Sequence, residues 1–158
     1  MLTQDRLKEL FTYNENTGDL TRKVTAGGRK AGQVIDSKNQ KGYLRVKVDR
    51  VEYKVHRVIW LYVYGIHPKD QIDHINQIKD DNRISNLREV DNKTNCMNKP
   101  LQKNNTTGVA GVTWRERDKC YYVVINSKYY GVSKSLEQAT LLASKMYKKL
   151  GYHENHGR

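Results

Sequence analysis

Cysteine is nearly absent: Cys96 and Cys120 are the only two, and they form no C-x-x-C pair. A structural zinc site built on four cysteines is excluded by count. Any bound metal must then be held by oxygen, with imidazole as the other donor. The two thiols read as small hydrophobes or inert surface groups. Long apolar runs are missing too, since none approaches the ~18 residues that span a bilayer. The opening MLTQDRLKELF lacks a signal peptide's uninterrupted apolar stretch and cleavage site. A soluble, cytoplasmic protein with no membrane partner is expected. Hydrophobic residues reach only 37% of 158, which suits small, loop-rich modules better than one large core. No apolar heptad marks a dimer interface, so a monomer or weak homodimer is expected. Acidic residues are short as well: 17 Asp and Glu face 29 Lys and Arg, leaving a net charge of +12. That balance favours a polyanionic partner, nucleic acid before an acidic membrane surface.

Three stretches separate on pattern. In residues 1–54, Thr3 caps a short amphipathic helix with Leu7, Leu10 and Phe11 on one face. A turn-rich segment and a glycine-punctuated basic loop follow. Leu44, Val46 and Val48 alternate with Arg45 and Lys47, a half-buried strand with a basic outer face. Asp49-Arg50 turns it into a hairpin. That outer face is either solvated or turned toward a duplex. Residues 55–100 open with VHRVIWLYVYG, a helix apolar around most of its circumference and stopped by Gly65. A strand at 72–75, a polar loop at 76–85, a strand at 87–90 and a short helix at 92–98 complete that module. Residues 101–107 read as a linker. Three short strands at 109–115, 121–126 and 128–132 form a meander, and Ser135 caps a closing helix. Residues 99–158 hold eleven Lys and Arg against four Asp and Glu, the denser positive charge. The tail, 153–158, has no periodicity and is expected to be mobile.

Asp73-His74, with Asn86 twelve and Asn95 twenty-one residues beyond the histidine, is a parts list for cutting a phosphodiester. Such hydrolysis needs a base for water and a cation against the charge developing on phosphate oxygens. His74 titrates in the range a base requires. Asp73 and Asn95 offer hard oxygen ligands of the kind magnesium or manganese prefers. Taken singly, the histidine reads as structural and Asn82, Asn86 and Asn95 as turn and cap residues. The joint pattern is more specific than its parts.

Asp73-His74, Asp81-Asn82-Arg83, Asn86-Leu87-Arg88 and Asn95 closely resemble the HNH endonuclease motif. The likeness is to the phage and intron-encoded homing subgroup, in which asparagine replaces the last histidine. His56-Arg57-x-x-Trp60 and LFTYNENTGDL extend the resemblance to roughly residues 6–98. It implies a ββα-metal site with one Mg2+ or Mn2+ ion. Asp73 and Asn95 would be the metal ligands and His74 the general base. Asn86 would pin the loop and orient His74 through a backbone hydrogen bond. Arg83, Arg88 and Arg57 would meet DNA, as would Arg45 and Lys47 on the hairpin. His56 would either contact phosphate, orient a neighbour, or serve as a buried structural group.

Gly108-x-x-Gly111-Val112, Trp114-x-x-Arg117, Tyr121 and Gln138-Ala139 resemble the Apetala/ethylene-response-factor type of DNA-binding domain. The likeness implies a three-stranded antiparallel sheet, backed by one helix, laid in the major groove. Thr113, Arg115 and Arg117 would share its outer face, with Trp114 opposite. An arginine fork on guanine supplies about 1–3 kcal/mol of discrimination.

The expected fold is therefore α+β: a ββα-metal nuclease module at 55–100, after an N-terminal region at 1–54, and a sheet-plus-helix reader at 108–152. The expected function is a metal-dependent homing-type endonuclease cutting preferred sites in double-stranded DNA, in a phage-infected cell. The rival reading is a sequence-preferring DNA-binding protein without nuclease activity.

Overall fold

A computed structural model describes residues 1–157. Its order is α1 (Gln4–Leu10), β1 (Phe11–Tyr13), β2 (Leu20–Arg22), β3 (Arg45–Val48), β4 (Val51–Lys54), α2 (Val55–Tyr64), β5 (Gln71–His74), β6 (Leu87–Val90), α3 (Asn92–Cys96), β7 (Val112–Arg115), β8 (Cys120–Ile125), β9 (Lys128–Ser133) and α4 (Leu136–Lys149). The class is α+β, with every sheet small and antiparallel. The chain divides into two units, Met1–Asn92 and Lys93–Arg158. Among the described residues, no helix is long and apolar enough to cross a membrane. Both cysteines are free and half-buried.

In the first unit, the Thr3 side chain accepts from the Arg6 N–H and starts α1. Phe11 departs from the helical face expected for it. It opens β1, pairs with Arg22 of β2 and is 1% exposed. Strand pairing outcompetes a last helical residue because it completes a hairpin over the same core. Asp49 and Arg50, both at positive φ, join β3 to β4. Val55 starts α2 directly after β4. α2 buries Val55, His56, Val58, Ile59 and Leu61, and Gly65 ends it at φ +73°. Leu7, Phe11, Leu20, Val46, Val55 and Ile59 form the centre of this unit's core. β5 and β6 pair so that Asp73 faces Arg88 and His74 faces Leu87.

Between those strands the polar loop is more ordered than its composition suggests. It closes through a 3-10 turn at Ile84–Asn86, and the hairpin turn from β1 to β2 lies against it. A Cβ on Gly18 would come within 2.6 Å of the Arg83 nitrogen. The Tyr13 hydroxyl donates to the Asn82 carbonyl at 3.0 Å and accepts from the Ile84 N–H at 2.8 Å. The loop therefore takes its shape from residues some seventy positions earlier.

In the second unit, β7, β8 and β9 form one antiparallel sheet in that order. Val112, Val123 and Ile125 pack with Ala139 and Ala143 of α4. Ser135 caps α4 by accepting from the Gln138 N–H. The first strand begins at Val112, later than expected, because Gly111 at φ +70° turns the chain there. The closing stretch is not the loose tail anticipated. The rings of Tyr152 and His156 lie 4.8 Å from that of Tyr147, and Gly157 N–H donates to the Lys99 carbonyl at 2.9 Å. Aromatic stacking needs no periodicity, so pattern alone does not reveal it. Arg158 lies outside the described residues.

Candidate active site

Consecutive strand residues point to opposite faces, so Asp73 and His74 enter different surroundings. Both are buried, at 8% and 4% exposure. Asp73 shares a face with its cross-strand neighbour Arg88, whose Nε and Nη2 donate to Oδ2 at 3.1 and 2.9 Å. His74 turns inward to a cluster of rings. His56, from the first turn of α2, lies edge-on at 5.1 Å between centroids. Tyr43 is 5.9 Å from His74 and 5.4 Å from His56. A turn in which the Asn39 carboxamide oxygen accepts from the N–H groups of Lys41 and Tyr43 holds that tyrosine.

His74 Nε2 lies 3.2 Å from Asn82 Oδ1. Asn82 is fully buried, and its Nδ2 donates to the Asp80 carbonyl at 3.2 Å. An amide oxygen there fixes the tautomer: Nε2 carries the proton, and the lone pair is on Nδ1. Asn86 clamps the loop itself. Its Oδ1 accepts from the Asn76 N–H at 3.0 Å, and its Nδ2 donates to Asn76 Oδ1 at 2.9 Å and the Asp81 carbonyl at 2.8 Å. The Asn86 carbonyl accepts from the Ile75 N–H at 2.9 Å, next to His74. Arg83 forks onto Asp81 and, with the Asn76 amide, holds its carboxyl down at about 2.

Burial keeps both imidazoles neutral. His56 is pushed down to about 3, first by burial, then by its neighbour His74 and by the charges of Lys54 and Arg57. Its Nδ1 is buried without a hydrogen-bond partner. His74 is lowered by burial, against opposing contributions from the Asn82 hydrogen bond and the Asp73 charge. A neutral imidazole at pH 7 is what a proton acceptor requires.

The other sequence-expected residues belong to several elements. Arg57 donates to the carbonyls of Asp70 and Pro68 at 3.0 Å each, bracing the connection from α2 to β5. Arg45 and Lys47 are exposed on β3, with Arg45 paired to Glu52. Asn95 stands half-buried on α3, in the second unit. Thr113 and Arg115 share the face of the sheet turned away from the Val112 core, and Arg115 stacks 4.2 Å over Tyr122. Trp114 is on the opposite face, 4.7 Å from Tyr121. Arg117 falls beyond β7, in the turn, and pairs with Asp118. Sequence reasoning assigned no role in this site to Tyr43 or to Asn82's contact with His74. The signal for Asn82 was its place inside the motif; Tyr43 carried none.

The donor chemistry fits a hard cation: Asp73 offers a carboxylate oxygen, and its neighbour His74 is an imidazole that burial holds neutral. Arg88 would compete with such an ion for Asp73 Oδ2. Among the described residues, no three His, Cys, Asp or Glu side chains converge as a complete ligand set.

A buried neutral histidine beside a carboxylate, in a chain of net charge +12, is equipment for hydrolysing a nucleic-acid backbone. Residues 53–97, from the end of β4 through α3, match the family model described as HNH endonuclease. The chain is thus a nuclease that hydrolyses DNA. Nucleases of that family generally use a divalent metal ion. Neither the curated proteins nor the solved structures yielded a match.

Proposed function

We propose that the chain is a metal-dependent DNA endonuclease of the homing type, with its cutting centre of ββα-metal kind at Asp73 and His74. The observation that carries this reading is the state of His74: buried, neutral and with Nε2 directed at Asn82. In this reading His74 takes the proton of the attacking water on Nδ1, while Asn82 holds the ring and stabilises the imidazolium that results. Asn86 keeps the loop closed around it. Asp73 anchors the cation, magnesium or manganese. When bound, that ion supplies positive charge against the phosphate oxygens. The reading rests on first-unit residues.

The outer sheet face of the second unit is the proposed reader of duplex DNA. What supports it is a basic and aromatic surface, Thr113, Arg115 and Tyr122, on a three-stranded sheet backed by α4. Arg115 there would supply base-edge or phosphate contacts.

The test is to incubate duplex DNA with the protein and magnesium, with and without a chelator, beside His74→Ala and Asp73→Ala. Cutting should require the cation and be lost in both variants. Cleavage that survives both substitutions would refute the assignment.

A further inference from the structure

Two lysines far apart in sequence converge on one ring at the edge of the histidine cluster. Lys54 Nζ, at the junction of β4 and α2, lies 5.2 Å from the Tyr43 centroid. Lys79 Nζ, from the loop between β5 and β6, lies 5.3 Å from it. The same ring touches His56 and His74. Lys79 is fixed from a second side, since its Nζ donates to the Lys41 carbonyl at 2.9 Å. An ion pair of Lys38 with Asp80, 2.6 Å long, ties its loop to the approach to β3.

Neither ammonium is neutralised. Among the described residues, no carboxylate lies within ion-pair distance of Lys54 or Lys79. The neighbouring acids are engaged elsewhere: Asp80 with Lys38, Asp81 with Arg83, Glu52 with Arg45 and Asp73 with Arg88. Both lysines are exposed, and Tyr43 is half-buried. Two ammoniums without a carboxylate partner, 5.2 and 5.3 Å from the same ring, leave positive charge at this edge of the histidine cluster that an anion would neutralise. The anion available beside a DNA-cutting histidine is a backbone phosphate.

We propose that Lys54 and Lys79 clamp backbone phosphate at the cutting site, holding the strand against His74. This rests on the reading of His74 as the cutting centre. The ammoniums act as point charges, which binds phosphate without demanding one fork geometry.

The experiment uses the full chain with Lys54→Met, Lys79→Met and the double variant, beside Lys54→Arg/Lys79→Arg and His74→Ala. Binding to a duplex oligonucleotide is measured without divalent cation over a range of salt. The slope of log affinity against log salt should flatten by about 0.9 for each lost phosphate contact, and by about 1.8 in the double methionine variant. The arginine pair should recover most of the slope. At saturating enzyme, with magnesium, single-turnover cutting by the double methionine variant should fall by roughly ten- to hundredfold. An unchanged slope overturns the clamp. So does a flattened slope with cutting at saturation intact, because the contacts would then lie away from the reacting strand. His74→Ala separates the two readings: it should abolish cutting while keeping the full slope. If it still cuts, the reading of the cutting centre fails whatever the lysines do.

Discussion

Replacing His56 by Phe should make the first unit more resistant to acid. His56 is 4% exposed and neutral, pushed down to about 3, whereas an unfolded histidine titrates near 6.5. Between those values the unfolded chain binds a proton that the folded chain refuses. Stability is therefore full above pH 6.5 and declines as pH falls toward 3. Each pH unit fully inside that window removes ~1.4 kcal/mol. Titration is only partial at its upper edge, so a drop from pH 7 to pH 5 removes about 2 kcal/mol. Phe keeps the ring between Tyr43 and His74, and it sacrifices no hydrogen bond at Nδ1, which has none. The lowered His74 adds acid sensitivity of the same sign to both proteins, so to first order it cancels in the difference. Urea unfolding at pH 7 and pH 5 measures this. Trp60 reports on the first unit in a Trp114→Phe background, because Trp114 belongs to the second. The wild type should lose about 2 kcal/mol more than His56→Phe over that range. Equal losses would refute the reasoning, placing the acid sensitivity in other groups.

Two further outcomes follow from the loop around His74. Asn82→Ala removes the buried acceptor at His74 Nε2, a cost of about 1–3 kcal/mol. Single-turnover cutting should fall at least about tenfold with DNA affinity unchanged, and a rate within twofold of wild type would show that Asn82 does not orient the base. Gly18→Ala introduces a Cβ 2.6 Å from Arg83 N and 2.8 Å from the Asn82 carbonyl carbon, at φ +81°. The expected loss is above ~2 kcal/mol in the first unit, seen as a lower urea midpoint by Trp60; an unchanged midpoint would mean that the hairpin turn does not brace this loop.

Much of the site was legible because its chemistry is local. Asp73 and His74 are neighbours, Asn86 closes the same loop, and α2 announces itself by its apolar circumference and its glycine stop. Arg45 and Lys47 alternate with buried Val46 and Val48, so a period of two was enough to expose them. Other placements were beyond reach of pattern. The register of β5 with β6 sets Arg88 on Asp73, a pairing across two strands that pattern does not show. Arg57 likewise closes its fork on two carbonyls eleven and thirteen residues away.

By itself, then, the sequence determined the polyanionic partner, the kinds of group available for hydrolysis and their order along the chain. Charge, donor type and short spacing are properties of residue identity, and they survive any arrangement of the fold. Only tertiary structure decided that Tyr43 and His56 enclose His74, that Asn82 meets its ring, and that Lys54 and Lys79 both reach the Tyr43 ring. Those contacts join separate segments of the chain, and burial set by the whole core is what holds the imidazoles neutral.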